Sequence, residues 1–550
     1  MDYSCSRTGP ESGIKTPAVT VVSPENGPHT ISVDEKADEP EYITGLALVA
    51  SLSSLTLAIF LMLLDTSIVS TAIPQITTNF HSLNDVGWYG TAYLMAVCSV
   101  QPLSGKMYTY FNSKWTFLSF FTIFELGSAL CGAASSSYML IVGRAIAGIG
   151  SSGLLNGAFT ILHASFPARR LPALTGILMG ITQLGSLSGP LIGGALTQHA
   201  SWRWCFYINL PCAAAIYPAL FLIHIPDGRT AMSKSQPITT SLRHLDIPGF
   251  ILFAGTMIQL LCALNWGGTS YPWHSSTIIG LFCGTGGTFL IFLLWELHTG
   301  THALIPLDLV KKRAIWASCL NYAFMIGSAM CFTYYLPMYF QAVRDASPTK
   351  SGVDLLPAIV TTIVFAMLSG VLVGKLGYYL PFAIASGAMT TIGAALFTTI
   401  TPTTATRNWV GFQLLQGTGR GLGVQMPLIA VQTAAPREMH SVATGLVVLA
   451  QNVGPAIFLG ICQVVFSGGL KRALERYAPG VDSRVVEAAG ARGLRDVAGS
   501  QLEGVLEAYN AAVVDVFYVS VAAAAAALVF ACGMGWVSVR GKNEGEKGEQ

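Results

Sequence analysis

The chain of 550 residues is 52% hydrophobic and only 11% charged, with a mean hydropathy of +0.56 and a formal net charge of +2. Soluble domains carry roughly 25% charged residues, so this composition argues against a water-soluble globule. The small net charge and the lack of a basic tract argue against nucleic acid as a partner. Apolar residues come in blocks of about 18 to 25, the length that crosses a ~30 Å hydrocarbon core at 1.5 Å per residue. Few blocks alternate as a barrel strand does, and the expected fold class is an all-α polytopic membrane protein.

Taken in chain order, residues 1–45 are polar, rich in Pro, Ser and Thr, and acidic near Asp34–Glu41. They read as a disordered cytoplasmic tail without a cleavable signal, the first long helix serving as the insertion signal. Fourteen spans follow, at 46–72, 86–104, 114–134, 137–162, 171–197, 203–224, 247–265, 277–297, 315–340, 353–373, 380–400, 407–433, 442–466 and 512–537. With both termini inside, fifteen lysines and arginines fall in the inner loops and C-terminal tail, among them Lys106, Lys114, Lys311, Lys312 and Arg313. The short outer loops hold only Arg203, Arg344, Lys350 and Arg407. That asymmetry is the positive-inside bias, and the long outer loop 467–511 weighs little against it. The eleven cysteines are scattered, most inside apolar blocks and none in a C-x-x-C pair. They read as packing residues, and no metal or cofactor is implied.

The chain also repeats itself at an offset of 269 residues. Gly105-Lys106 recurs as Gly374-Lys375, Gly148-x-Gly150 as Gly417-x-Gly419, Pro167 as Pro436 and Thr175-Gly176 as Thr444-Gly445. Gly189-Pro190 recurs as Gly454-Pro455, slipped by four residues. The expected organisation is therefore a six-helix bundle at 46–224, a linker at 225–314 with two extra transmembrane helices, a second six-helix bundle at 315–537, and a cytoplasmic tail at 538–550. Two parallel halves facing a midplane cavity suit alternating access, which a channel does not require.

Four segments carry chemistry. Leu64-Asp65-Thr66-Ser67-Ile68-Val69 places an acid inside the first span, at a cost of at least ~2.5 kcal/mol. Asp65 is then either a coupling or gating residue or a packing residue bonded to neighbouring hydroxyls. Gly143-Arg144-Ala145-Ile146-Ala147-Gly148-Ile149-Gly150 puts a permanently charged guanidinium in the fourth span, where it needs acceptors, beside glycines that permit close backbone approach. Gly185, Gly189, Pro190, Gly193 and Gly194 give the fifth span a smooth face around a helix-bending proline, suited either to motion against a neighbour or to static packing. Trp202-Arg203-Trp204-Cys205-Phe206-Tyr207-Ile208-Asn209-Leu210-Pro211 reads as an interfacial anchor of the sixth span.

These four segments resemble the Major Facilitator Superfamily, in the fungal form of its fourteen-helix drug:proton antiporter branch, over about residues 45–540. The resemblance is to L-D-x-T-I-V-N-V-A-L-P, R-x-x-x-G-x-G, G-x-x-x-G-P-x-x-G-G and W-R-W-x-F-x-I-N-x-P. It implies that Arg144 takes part in proton transfer, that the fifth-span motif marks an exporter, and that substrates are drugs, toxins or secondary metabolites. One segment departs from the family. Where G-x-L-A-D-R-x-G-R-K is usual, the chain reads Gly105-Lys106-Met107-Tyr108-Thr109-Tyr110-Phe111-Asn112-Ser113-Lys114, with Thr109 in place of the acid. Some other inner contact must then hold the outward-open state.

Glu125, the most deeply placed acid, reads as a proton carrier or a structural acid. Arg420 reads as a partner for an acid or an anionic substrate, or as a snorkelling cation. Asn321, Gln413, Gln425, Gln451 and Asn452 are candidates for the central cavity. The expected function is a rocker-switch exporter of small hydrophobic or amphipathic compounds driven by proton antiport, a monomer in the plasma membrane. The alternatives are an importer or a vacuolar basic-amino-acid transporter on the same fold. An intramembrane enzyme lacks a nucleophile–base or metal constellation, and an ATP-driven pump lacks a G-x-x-x-x-G-K-[S/T] loop.

Overall fold

In a computed structural model the described residues are 45–81, 85–167, 170–223, 225–226, 237–268, 271–483, 485–486, 494 and 501–539. The expected N-terminal tail lies outside them, as do the last residues of the C-terminal tail. Among them, fourteen helical rods stand in chain order, one for each expected span. They are α1 (Gly45–Phe80), α2 (Val86–Tyr110), α3 (Ser113–Gly132), α4 (Ser137–Ser165), α5 (Leu171–His199), α6 (Trp204–Leu222), α7 (Ile247–Trp266) and α8 (Ser276–Thr299). There follow α9 (Arg313–Ala342), α10 (Leu356–Leu376), α11 (Leu380–Phe397), α12 in two segments (Thr406–Gly423 and Met426–Ala434), α13 (His440–Tyr477) and α14 (Leu502–Gly533).

The turns between rods are set by local chemistry. Asn112 starts α3 by accepting from the backbone N–H groups of Lys114 and Trp115 at 3.1 and 3.2 Å. Ser136 and Ser275 do the same for α4 and α8, each satisfying donors that a helix start leaves without partners. Gly377, left-handed at φ 81°, ends α10.

Among the described residues, eleven of these helices are long and apolar enough to cross a bilayer, and α2 and α12 are not. The first carries Gln101 and Lys106, the second Gln413, Gln416 and Arg420, and both pack closely on neighbouring helices. The α2 rod packs on α4, α7 and α13, α5 on α1 and α10, and α12 on α10 and α11. By contrast α8 packs mainly on α7 and turns Ile279, Phe289, Leu290, Ile291, Leu294 and Leu297 outward.

The packing pattern repeats with the sequence. In α1–α6 the pairs are α1 with α5 and α6, α2 with α4, and α3 with α4 and α6. In α9–α14 they are α9 with α13 and α14, α10 with α12, and α11 with α12 and α14. Contacts between the two sets also come as a symmetric couple, α5 on α10 and α2 on α13.

The named contacts between sets fall at one end of the rods, the end bearing the α2–α3 and α4–α5 turns. A Cβ on Gly105 would stand 3.0 Å from Val442 Cα and 3.1 Å from the Ser441 carbonyl oxygen. Thr160 Oγ1 and Ser441 Oγ lie 3.1 Å apart. His163 meets His440 edge to face, with ring centroids 5.4 Å apart. Gly176 and Gly370 bring α5 against α10, where the Gln425 amide donates to Ala366 O and Ser369 Oγ, both at 2.9 Å.

Several boundaries differ from expectation, and α1, expected to end at 72, is helical to Phe80. The loop placed at 467–511 is helical to Tyr477 and again from Leu502. Lys471, Arg472, Glu475 and Arg476 break the apolar run. Leu470 and Leu474 nevertheless keep a helical period and bury in the same apolar cluster as Val505, Tyr509 and Ala512 of α14.

A glycine at a backbone contact and a glycine facing open space should respond differently to the same added methyl. A Cβ on Gly150 collides with Phe124 N, whereas one on Gly194 meets nothing within 4 Å. Gly150→Ala is expected to lose about 1–3 kcal/mol of stability, the scale of overpacking, and Gly194→Ala within about 0.5 kcal/mol. Thermal melts of the detergent-solubilised protein check this, and equal losses would contradict the packing of α3 on α4.

Candidate functional site

Asp65 and Arg144, predicted separately, meet. The Arg144 Nη1 donates to Asp65 Oδ2 across α1 and α4, and both side chains are buried, 2% and 0% exposed. Arg144 Nε donates to the Tyr89 carbonyl at 3.0 Å. Its guanidinium also lies over the Tyr93 ring, 4.3 Å from the centroid. Tyr93 in turn donates to Ser151 Oγ at 2.6 Å. The cation is therefore held on three sides, while Asp65 Oδ1 has no hydrogen-bond partner.

Tyr89 and Tyr93 on α2 are site residues that the motifs did not reveal. The signal available was their i, i+4 spacing, which puts both on one face of α2; only the fold shows which arginine that face meets. The Tyr89 side chain, by contrast, turns towards the start of α2. The Tyr89 hydroxyl lies 2.9 Å from Ser137 Oγ, which donates to Asp85.

Glu125 is buried on α3, and neither carboxylate oxygen has a hydrogen-bond partner. It lies within electrostatic range of Asp65 and of Cys212 and Tyr217 on α6. It does not join the ion pair.

The glycine motif faces the other side of α1. Cβ atoms on Gly185, Gly189 and Gly193 would collide with Phe60 O, Ser67 and Thr71, so three of its glycines form one close seam with α1. Gly194 points away from that seam. The Pro190 side chain lies outside the described residues. On α1, then, Asp65 reaches α4 while Leu64, Ser67 and Thr71 are pressed on α5.

The cavity candidates divide. Asn321 donates to Ala527 O at 2.7 Å, Gln413 to Asp354 O at 2.8 Å, and Gln425 to the α10 groups named above. All three spend their donors on helix–helix bonds. Asn452 donates to Val448 O of its own helix, and Gln451 Oε1 has no partner. Arg420 stands apart from all of these.

The degenerate segment 105–114 has its own contacts. Lys106 Nζ donates to His302 O at 3.0 Å, within electrostatic range of Asp246 and Glu296. Asp246 accepts from Trp295 Nε1 and Leu304 N, both at 2.8 Å. Lys114 caps the end of α6, donating to Phe221 O and Ile223 O at 2.9 and 2.8 Å. Arg203 anchors the start of α6 on Ala134 O at 2.7 Å and lies over the buried Trp202. Among the described residues no group of His, Cys, Asp and Glu is placed to hold a metal.

The sequence profile of the Major Facilitator Superfamily matches residues 55–459. The chain is 50% identical to the MFS-type transporter pigP of Monascus ruber over 505 residues, 92% of this chain and 89% of that protein. It is 50% identical to the efflux pump mlcE of Penicillium citrinum over 522 residues, 93% of this chain and 94% of that one. Among solved structures, a double Trp mutant of XylE matches 88% of this chain and 96% of its own at 14% identity, with a TM-score of 0.57. At that identity the likeness concerns the fold alone.

Breaking a buried ion pair from one side costs about 3–5 kcal/mol, because the remaining charge is stranded. The two sides differ here. A stranded carboxylate is free to take up a proton, but a guanidinium does not lose one. Asp65→Asn is therefore expected to lower the melting temperature more than Arg144→Gln, and the double variant is expected to recover part of the loss. Equal shifts in thermal melts of the three purified variants would count against a charged pair.

Proposed function

The chain belongs to the Major Facilitator Superfamily, and we propose that it is a secondary active exporter that moves small hydrophobic or amphipathic compounds out of the cell in exchange for protons. The observation that carries this reading is the one-ended seam between two sets of helices packed alike. Two rigid sets touching through glycine, hydroxyl and amide groups at one end suit a rocking motion about a central site. The lysine and arginine census supports a cytoplasmic placement of that end, and on this reading the seam corresponds to an outward-facing state of a multi-pass protein in the plasma membrane with both termini inside. The domain boundaries 46–224, 225–314 and 315–537 follow the same division. Export rather than import is supported by relatives named efflux pumps.

Proton coupling centres on Asp65. A proton arriving from outside neutralises the carboxylate and removes the charge that ties α1 to Arg144 of α4. Arg144 keeps the Tyr89 carbonyl and the Tyr93 ring, so α1 is the element released. Because α1 also carries the glycine seam with α5, and α5 packs on α10, loosening α1 reaches the contact between the sets. Glu125 is the second acid within electrostatic range of Asp65 and is assigned a supporting role. The missing acid of the 105–114 segment is replaced by the neutral seam of Gly105, Thr160 and Ser441. The protein acts as a monomer.

Efflux of a panel of fungal secondary metabolites and amphipathic dyes from a pump-deficient yeast, with an imposed pH gradient, tests the reading. Export is expected to collapse when the gradient is dissipated and to fall at least tenfold in Asp65→Asn, with a smaller loss in Glu125→Gln. Uptake driven by the same gradient would overturn it. For the seam, the double variant Thr160→Cys/Ser441→Cys is expected to stop transport when oxidised and to regain it on reduction. A cross-linked protein that still transports would rule out opening at this end.

A further inference from the structure

Arg420 lies at the midpoint of the α12 span, whose two segments run from Thr406 to Ala434. At 1.5 Å per residue about 20 Å of helix separates it from either end, farther than an arginine side chain reaches to snorkel. A guanidinium held there is charged and needs acceptors. Arg144 shows how this chain meets that need, with a carboxylate, a carbonyl and a ring. Among the described residues, none of these is hydrogen-bonded to Arg420 or stacked on it. Its Nε is buried without a hydrogen-bond partner, and the residue as a whole is only half-buried.

The described acids that approach the membrane interior are engaged elsewhere or sit in the other set. Asp65 holds Arg144, Lys350 meets Asp354 at 2.8 Å, Arg472 meets Asp515 at 3.6 Å, and Glu125 sits on α3. Among the described residues, a titratable side chain in electrostatic reach of Arg420 is Tyr322 of α9. Tyr322 is fully buried, and its hydroxyl has no partner either. A cation and a phenolic donor thus stand near each other without an acceptor.

The repeat sharpens the point. At the offset of 269, Arg420 corresponds to Ser151, a neutral residue that accepts from Tyr93. The architecture shared by the two sets does not call for a cation at this place, so the charge belongs to something particular to the second set.

We propose that Arg420 and Tyr322 form an anion-recognising subsite that receives the carboxylate of an amphipathic substrate. This deepens the exporter reading and rests on it for the identity of the ligand as cargo. The guanidinium offers parallel N–H donors that match a planar carboxylate, and the phenol supplies a further donor. The substrate's apolar body remains free to vary, because recognition is concentrated on one charged group.

Binding is tested with dansylaminoundecanoic acid and its methyl ester, which differ in charge but little in shape. Fluorescence titration of the purified full-length protein in nanodiscs is expected to show the acid binding about tenfold or more tightly than the ester, the scale of one charge-assisted pairing. In Arg420→Gln that ratio is expected to fall to near one, with Arg420→Lys retaining part of it. Tyr322→Phe, the least disruptive change, is expected to reduce it severalfold. A ratio near one in the wild-type protein, no binding of the acid, or a ratio unchanged in folded Arg420→Gln and Tyr322→Phe would overturn the subsite. Loss of proton-driven efflux with the acid preference intact would instead overturn the exporter reading and leave the subsite standing.

Discussion

Helices in a bilayer gain little by hiding apolar surface from one another, because the lipid is as apolar as they are. Close backbone approach must supply the attraction instead, and this fold depends on it. Gly150 lets α4 reach the backbone of α3, Gly185, Gly189 and Gly193 press α5 on α1, and Gly105 presses α2 on α13. The same smoothness that allows contact also removes the interlocking side chains that would resist sliding. Adhesion and mobility therefore have one cause, and the seams that hold the sets together are also those best able to part.

Against that apolar background the charged groups stand in contrast. The first set encloses Asp65 and Arg144 as a compensated pair, with one carboxylate oxygen left over. Among the described residues, the second keeps Arg420 in no ion pair, with its Nε unpartnered. Two sets alike in packing thus differ in charge, and the difference divides the labour proposed for them: proton exchange in the first, substrate recognition in the second.

Much of this was legible in the sequence. Span length, glycine motifs and the 269-residue offset anticipate each of the fourteen rods, because periodic apolar runs and proline or glycine breaks act locally. Asp65 and Arg144 stood out singly, since an intramembrane charge is costly wherever it sits. Their pairing was not legible, because it joins residues 79 positions apart through the angle at which α1 crosses α4. Asn321, Gln413 and Gln425 looked like cavity residues for the same reason: polarity shows in a sequence, while the neighbouring carbonyl that satisfies it does not. The helical extension to Tyr477 was missed because charged residues interrupt the apolar run, although Leu470 and Leu474 preserve the helical spacing beneath them.

The inserted helices carry a mechanical consequence of their own. The α7 rod packs on both α2 and α13, the two helices joined at the seam, while Lys106 of α2 is fastened to the His302 carbonyl just beyond α8. A motion that parts α2 from α13 must therefore keep the insert as ballast on the α2 side and turn its border with α13 into a shear plane. The two extra helices would ride with one set as an outrigger, and their contact with α13 would meter how far the two sets swing.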